Sequence, residues 1–518
     1  MSHAEAVRPA PSPPAMQLQA RSLALLVCPL LSAPALAQLQ LDKSGGGLPG
    51  VAQFALSGGG AGEAYVILPS LVETPTAAPT GAQLAIGLDL LDVAIGWPGF
   101  VGLLDGSGSA SALLPLPPTA GLAGITLSVQ GVAGNPALSE ASNLVRLTPQ
   151  LVDTFSNTLG APVLPVVGGA IAPLADGRLE LVGGSGPLGQ IYDPDLEEFE
   201  LGGLSFGVGL LSQSTTLDDG RILFTGGLGL DGQPSANAAV YDPADGTTTE
   251  ISMSVPRAGH GASVLGDGRV LLTGGFSALD ISDLLTLLSG VQASSEFFDP
   301  NTNTFVSGPN MLEPRALHTQ TPLANGGALV AGGLTLIPLV NLPIVSATAY
   351  EFSPGLGTFG LPKFFAGARL GHAATLLDNG RVLLCGGLSI DFGDFFTTFD
   401  PLELSVGALD DCLEYSTGFF GGFDVKPGLS SGRAFASALS LGGGEALIAG
   451  GLELVLDLQD PLASQFVLLD DADRYSGGAL QPSGNMQGAR LLPVLQGLDD
   501  GTVLVVGGGP LEAEVFQP

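Results

Sequence analysis

Residues 255–275 read VPRAGHGASVLGDGRVLLTGG, and the same arrangement returns with substitutions until the chain ends. The Asp-Gly step at its centre tolerates φ > 0, so it turns one antiparallel strand into the next. A doubled glycine closes the second strand. Outward from this stretch, the pair recurs at Gly183-Gly184, Gly226-Gly227, Gly332-Gly333, Gly386-Gly387, Gly450-Gly451 and Gly507-Gly508. Most pairs follow a turn and an apolar run, as in DDGRILFTGG, DNGRVLLCGG and DDGTVLVVGG. A third strand then returns around an aromatic (QIYDP, AVYDP, EFFDP, AYEFSP, LEYS, DRYS, AEVFQP), and several units add a fourth, as in NTNTFVSGPN. Four short strands make a sheet that cannot bury both faces alone, whereas radial stacking of such sheets does. The glycine pair leaves room for a neighbouring backbone or aromatic, with the third-strand Tyr or Phe as its expected filler.

The succession PRxGH, DGRVL, GG and YDPxTxxF resembles the kelch repeat, and more closely the bacterial variety of galactose-oxidase-like propellers, over roughly residues 151–518. The resemblance implies an all-β fold, a seven-bladed propeller over 149–518. Spacing between units is irregular, and the tryptophan frequent in kelch blades is missing, since Trp97 precedes the repeats. The chain stops at a third strand, AEVFQP, while residues 152–160, VDTFSNTLG, look like a fourth. This N-terminal segment is predicted to complete the last blade and close the ring. Residues 38–148 lack the repeat and alternate apolar and small residues between Gly/Pro turns, which predicts a small β-sandwich-like domain.

Composition narrows the partners. Net charge is −33, and lysine occurs only at 43, 363 and 426. Such a surface repels nucleic acid and anionic lipid and suits cations or basic partners, although solubility alone also explains it. After Arg21, the run SLALLVCPLLSAPALA ends in Ala35-Leu36-Ala37, the pattern of a secretory signal peptide over 1–37. A secreted or periplasmic protein is expected. No later stretch reaches membrane-spanning length without a charge or glycine break, so no membrane insertion is expected. Cys385 and Cys412 remain after the signal, and their places in one repeat predict a disulfide.

The galactose-oxidase-like resemblance also implies a test for copper-radical chemistry, which in that family needs two tyrosines, two histidines and a cysteine cross-linked to a tyrosine. Here every tyrosine but Tyr65 occupies the repeated third-strand position, where packing explains it. His260, His318 and His372 each stand three residues after Arg257, Arg315 and Arg369. Each imidazole is expected to pack inside its own blade against nearby backbone, the alternative being a metal triad around the channel. Asp410-Asp411 and Asp470-Asp471 are adjacent, without the gap glycoside cleavage uses. No zinc or phosphate-loop motif is present, and no GxSxG nucleophile elbow is read in the chain. No catalytic residue, metal or cofactor is therefore assigned. A non-catalytic binding or interaction protein is expected, with a carbohydrate-active enzyme, galactose-oxidase-like or glycoside-cleaving, as the alternative.

The recognition face is expected on the rim that joins second to third strands. Four of those connections are long, at 276–295, 334–349, 388–413 and 452–472, and none contains Lys or Arg. Long loops on a rigid scaffold commonly carry function. Asp391, Asp394, Asp410 and Asp411 are its acidic candidates, able to meet cations though without the DxDxDG ligand spacing of calcium loops. Arg257, Arg315, Arg369, Arg433 and Arg490 reach the same rim. The arginines serve either as internal bonds to backbone carbonyls or, with His260, His318 and His372 as further binding candidates, as contacts to a glycan or protein partner.

Overall fold

The computed structural model describes residues 38–518, apart from 78–81, 136, 167–169, 183–187, 205–208, 230, 280–289, 338–341, 392, 394–404, 419–420 and 458–463. Among the described residues the architecture is all-β, built largely from four-stranded antiparallel sheets of the β-propeller kind.

Near the N-terminus, Gln40–Ser44, Gly50–Ser57 and Ala110–Leu116 form one sheet. Glu140–Leu147, Leu127–Gly134, Ala64–Ser70 and Val101–Leu103 form a second. Period-two alternation sends Leu41, Phe54 and Leu56 from the first sheet and Ile67, Val129 and Val145 from the second into one core.

The repeats then give sheets in simple a-b-c-d order, beginning with Ala170–Pro173, Ser212–Thr216, Gly261–Val264, Thr319–Pro322, Ala373–Leu376 and Ser437–Gly442. A further sheet joins Val494–Gly497, Val503–Val506 and Glu514–Gln517 to Thr154–Asn157. In its outer pair Phe155 lies opposite Phe516, with ring centroids 4.7 Å apart. First strands of successive sheets touch one another, which puts them on the inner side of the array. Ile171 and Leu181 of the first repeat share a core with Leu504 and Val506 of the last.

The second strands show why the repeat is written as it is. Val270–Thr273, Ala328–Ala331 and Val382–Cys385 are buried at every position, because neighbouring sheets cover both faces. The glycine pair has a different filler from the one expected. A Cβ on Gly274 would lie 2.3 Å from the Arg315 carbonyl oxygen, and one on Gly275 would lie 2.9 Å from the His260 Cβ. The next repeat's arginine backbone and the same repeat's histidine therefore occupy that space, and the Gly275 N–H donates to the Arg315 carbonyl at 2.7 Å. Gly183-Gly184 lies outside the described residues.

Candidate functional site

The five arginines of the repeat point inward. Arg257, Arg315, Arg369, Arg433 and Arg490 are fully buried. Each sends Nη1 to the carbonyl of the first glycine of its own pair: Gly274 at 2.7 Å, Gly332 at 2.8 Å, Gly386 at 3.1 Å, Gly450 at 3.2 Å and Gly507 at 3.2 Å. Each also meets a carboxylate, supplied by Glu296, Glu313, Asp411, the Asp471–Asp473 pair and Glu514 respectively. With no guanidinium left facing solvent, the reading of these arginines as donors to an external ligand gives way to the structural one. The half-buried Asp411 carboxylate is held by Arg369 at 2.8 Å.

His260, His318 and His372 are buried as well. Their Nε2 atoms lie 2.8, 2.9 and 2.7 Å from the hydroxyls of Thr225, Thr273 and Thr319. Each threonine belongs to the preceding sheet, so the histidines link sheets rather than bonding backbone in their own. Burial, aided by the adjacent arginine, pushes the His260 and His372 imidazoles down to about 3 and His318 well below its usual value. All three are neutral at physiological pH. Among the described residues no three His, Cys, Asp or Glu side chains are grouped to hold a metal ion.

The sequence did not single out the residue two places after the repeated arginine. Leu211, Gly259, Leu317, Gly371, Phe435 and Leu492 form a hydrogen-bonded arc along the inner side. Each N–H donates to the preceding member's carbonyl, at 2.8 Å for Gly259 to Leu211 and for Leu317 to Gly259. The remaining steps are 3.1, 2.7 and 2.8 Å. All six have φ between 51° and 62°. A Cβ on Gly371 would lie 2.6 Å from the Phe435 ring, so glycine there makes room for the phenylalanine. The side chains of the arc are leucine and phenylalanine, or none at glycine. Its signal was the residue two after each repeated arginine, Gly259, Leu317, Gly371, Phe435 and Leu492, which is small or bulky but never polar.

Above the arc, the residues following each glycine pair tie the insertions to the rim. Phe276, Leu334, Leu388 and Leu452 make β-bridges to Ala258, Ala316, Leu370 and Ala434. Leu334–Ile337 and Leu342–Val345 then form a hairpin. Two other insertions combine: Leu388–Asp391, Ser405–Ala408, Leu452–Asp457 and Gln465–Leu468 make one accessory sheet in that order. Its central pairing, Val406 with Leu456 and Gly407 with Val455, joins two different repeats. Below it Cys385 and Cys412, opposite each other on adjacent strands with Cα atoms 4.2 Å apart, are joined by a disulfide. Asp391 and Asp410 are exposed at this rim, while Asp394 lies outside the described residues.

A polar junction holds the N-terminal sheets to the first and last repeats. Arg146 donates to Glu73 at 2.6 Å, Glu198 at 2.7 Å and the Leu196 carbonyl at 2.8 Å. Asn143 donates to Asp195 at 3.0 Å, and Lys43 lies 3.6 Å from Glu197. Burial raises the Asp195 carboxyl to about 6 against the pull of Lys43.

Known proteins resemble this chain in fold. The structure of YjhT, a kelch-type propeller, superposes on 63% of this chain and 99% of its own at 15% identity, with a TM-score of 0.47. A fungal alcohol oxidase of the AA5 family, solved with copper, covers 70% of this chain and 75% of its own at 16% identity, with a TM-score of 0.50. No protein-family model and no curated protein matches. At such identity the likeness concerns the galactose-oxidase-like fold and carries no chemistry across.

Proposed function

We propose that this is an exported, non-catalytic binding protein: a seven-bladed kelch-like propeller closed by its 154–157 strand, behind a small β-sandwich. Its recognition face is the rim that carries the insertions of blades three to six. The accessory sheet supports this reading most. Two loops from different repeats assemble into a sheet that the propeller core does not need, and scaffold loops built beyond folding needs are where recognition resides. The copper chemistry of the alcohol oxidase does not fit the residues present. Cys385 and Cys412 are bonded to each other, and the three histidines are turned into threonine contacts. Tyr192, Tyr241, Tyr350, Tyr415 and Tyr475 are packed at their repeated position. The signal-like N-terminus and the scarcity of lysine suit export and a basic or neutral partner.

The test is to incubate purified protein with Cu(II), measure bound copper, and assay peroxide release from galactose and primary alcohols beside hydrolysis of a glycoside panel. No turnover, together with saturable binding on a glycan or peptide array, is the expected result. Turnover that tracks bound copper, or glycoside hydrolysis lost on substituting rim carboxylates, would overturn the reading in favour of the enzyme.

A further inference from the structure

We infer that the outer strand of the accessory sheet, Gln465–Leu468, is a docking edge for an extended, cationic and apolar polypeptide segment of a partner protein, which adds to the sheet as a further strand. The inference rests on the binding-scaffold reading above and names the partner's chemistry and place.

Three observations carry it. First, the strand is an open edge: among the described residues it pairs only with Leu452–Asp457, through Leu454 opposite Phe466 and Leu452 opposite Leu468. Edge strands of soluble proteins are normally blunted by lysine, proline, a bulge or a covering segment. Residues 465–468 read QFVL, and all four are exposed. Second, cross-strand register sorts the sheet into two faces. Ile390, Val406, Leu454, Leu456, Phe466 and Leu468 share one of them. Toward the rim this face is covered, with Ile390 packed on a core that includes Phe276 and Leu370. Toward the outer edge it is bare: Phe466 is 67% exposed and Leu468 42%. An apolar surface that continues a packed core out to an unpaired edge is a place to be covered, not a scatter of single residues.

Third, charge selects the occupant. The two insertions forming the sheet contain no Lys or Arg, whereas Asp391, Asp410 and Asp470 lie exposed on or beside them. A second copy of a chain with net charge −33 is repelled from such a surface, while lysine or arginine on an incoming strand is drawn to it. Strand addition uses main-chain hydrogen bonds for affinity and alternate side chains for choice. Here one set of side chains covers Phe466 and Leu468, and the other presents positive charge to the acidic surroundings.

The probe is a short fluorescent peptide alternating lysine and valine, compared with its glutamate–valine counterpart, in anisotropy titrations of the intact protein. The lysine–valine peptide is expected to bind saturably and the acidic peptide to bind at least tenfold more weakly. A Phe466→Lys, Leu468→Lys double variant should lose at least tenfold in affinity. Leu356 and Leu361 are 80% and 82% exposed elsewhere, so Leu356→Lys, Leu361→Lys changes charge equally and should bind like wild type. Circular dichroism and the thermal midpoint confirm that both variants fold. A proline at the peptide's centre, which removes a main-chain donor, should also weaken binding. Equal losses in the two double variants, or binding unaffected by either, would overturn the docking edge while leaving the scaffold reading intact. So would wild-type dimerisation that the Phe466→Lys, Leu468→Lys pair abolishes, since that makes a second copy the occupant. Catalytic turnover in the copper and glycoside assays would instead sink the scaffold reading itself.

Discussion

Replacing Arg490 by methionine should destabilise the protein far more than removing a surface arginine. Arg490 and Glu514 are both completely buried. The guanidinium donates to Glu514 Oε1 through Nε at 3.1 Å and Nη2 at 2.8 Å, to the Gly507 carbonyl at 3.2 Å and to the Glu512 carbonyl at 2.8 Å. Methionine fills much of the volume but leaves Glu514 with only the Gln487 N–H at 2.7 Å. Breaking a buried pair from one side costs about 3–5 kcal/mol, because a charge stays behind without its partner. Arg178, whose pairs with Asp176 and Glu200 are half exposed, supplies the contrast: Arg178→Met should cost ~1 kcal/mol or less. Adding Glu514→Leu to Arg490→Met should recover most of the loss, since an apolar pair needs no partner charge. Urea unfolding followed by far-UV circular dichroism measures all three. If Arg490→Met costs no more than Arg178→Met, the buried network is not what fastens the last sheet, and the structural reading of the repeated arginines fails with it.

Other outcomes follow from the same contacts. The buried histidines have folded values of about 3 for His260 and His372, far below an unfolded value of ~6.5. The stability they contribute is complete above about pH 6.5 and is lost as pH falls toward 3, at ~1.4 kcal/mol per pH unit for each. His372→Gln should therefore shift the acid-unfolding midpoint to lower pH, and an unchanged midpoint contradicts the assignment. Asp195 has the opposite sign, for its folded value is raised to about 6. Its contribution is complete below about pH 4 and falls away as pH rises through 6, so Asp195→Asn should gain thermal midpoint relative to wild type at pH 7.5 more than at pH 4.5. Gly371→Ala places a Cβ at φ 60° against the Phe435 ring and should cost roughly 2–4 kcal/mol in the same urea assay. Gly106→Ala, which meets nothing within 4 Å, should change stability by about 0.5 kcal/mol or less.

Much of the repeat was legible because its cues are local. An Asp-Gly turn, a four-residue apolar run and a returning aromatic each declare a strand or its end, whatever lies nearby. The pairing of Phe155 with Phe516 was also readable, since a third strand without a fourth at one terminus and a fourth without its sheet at the other are complementary. The arginines and histidines were harder. Recurrence suited a structural role as well as a binding one, and sequence spacing could not say that each arginine reaches its own glycine carbonyl or that each histidine bonds a threonine of the preceding sheet. Both contacts depend on how neighbouring sheets are set against one another.

The sequence by itself determined that this chain is all-β, repetitive, acidic and built on glycine-closed strands, because those properties follow from backbone conformation and composition. Tertiary structure alone decided what the rim offers. It bound the arginines to backbone carbonyls and carboxylates, set the residue two after each arginine in an apolar arc, and paired Val406 with Leu456 across repeats. Such long-range pairings are chosen by which edges remain unsatisfied once the sheets have packed, a condition that no stretch of residues carries within itself.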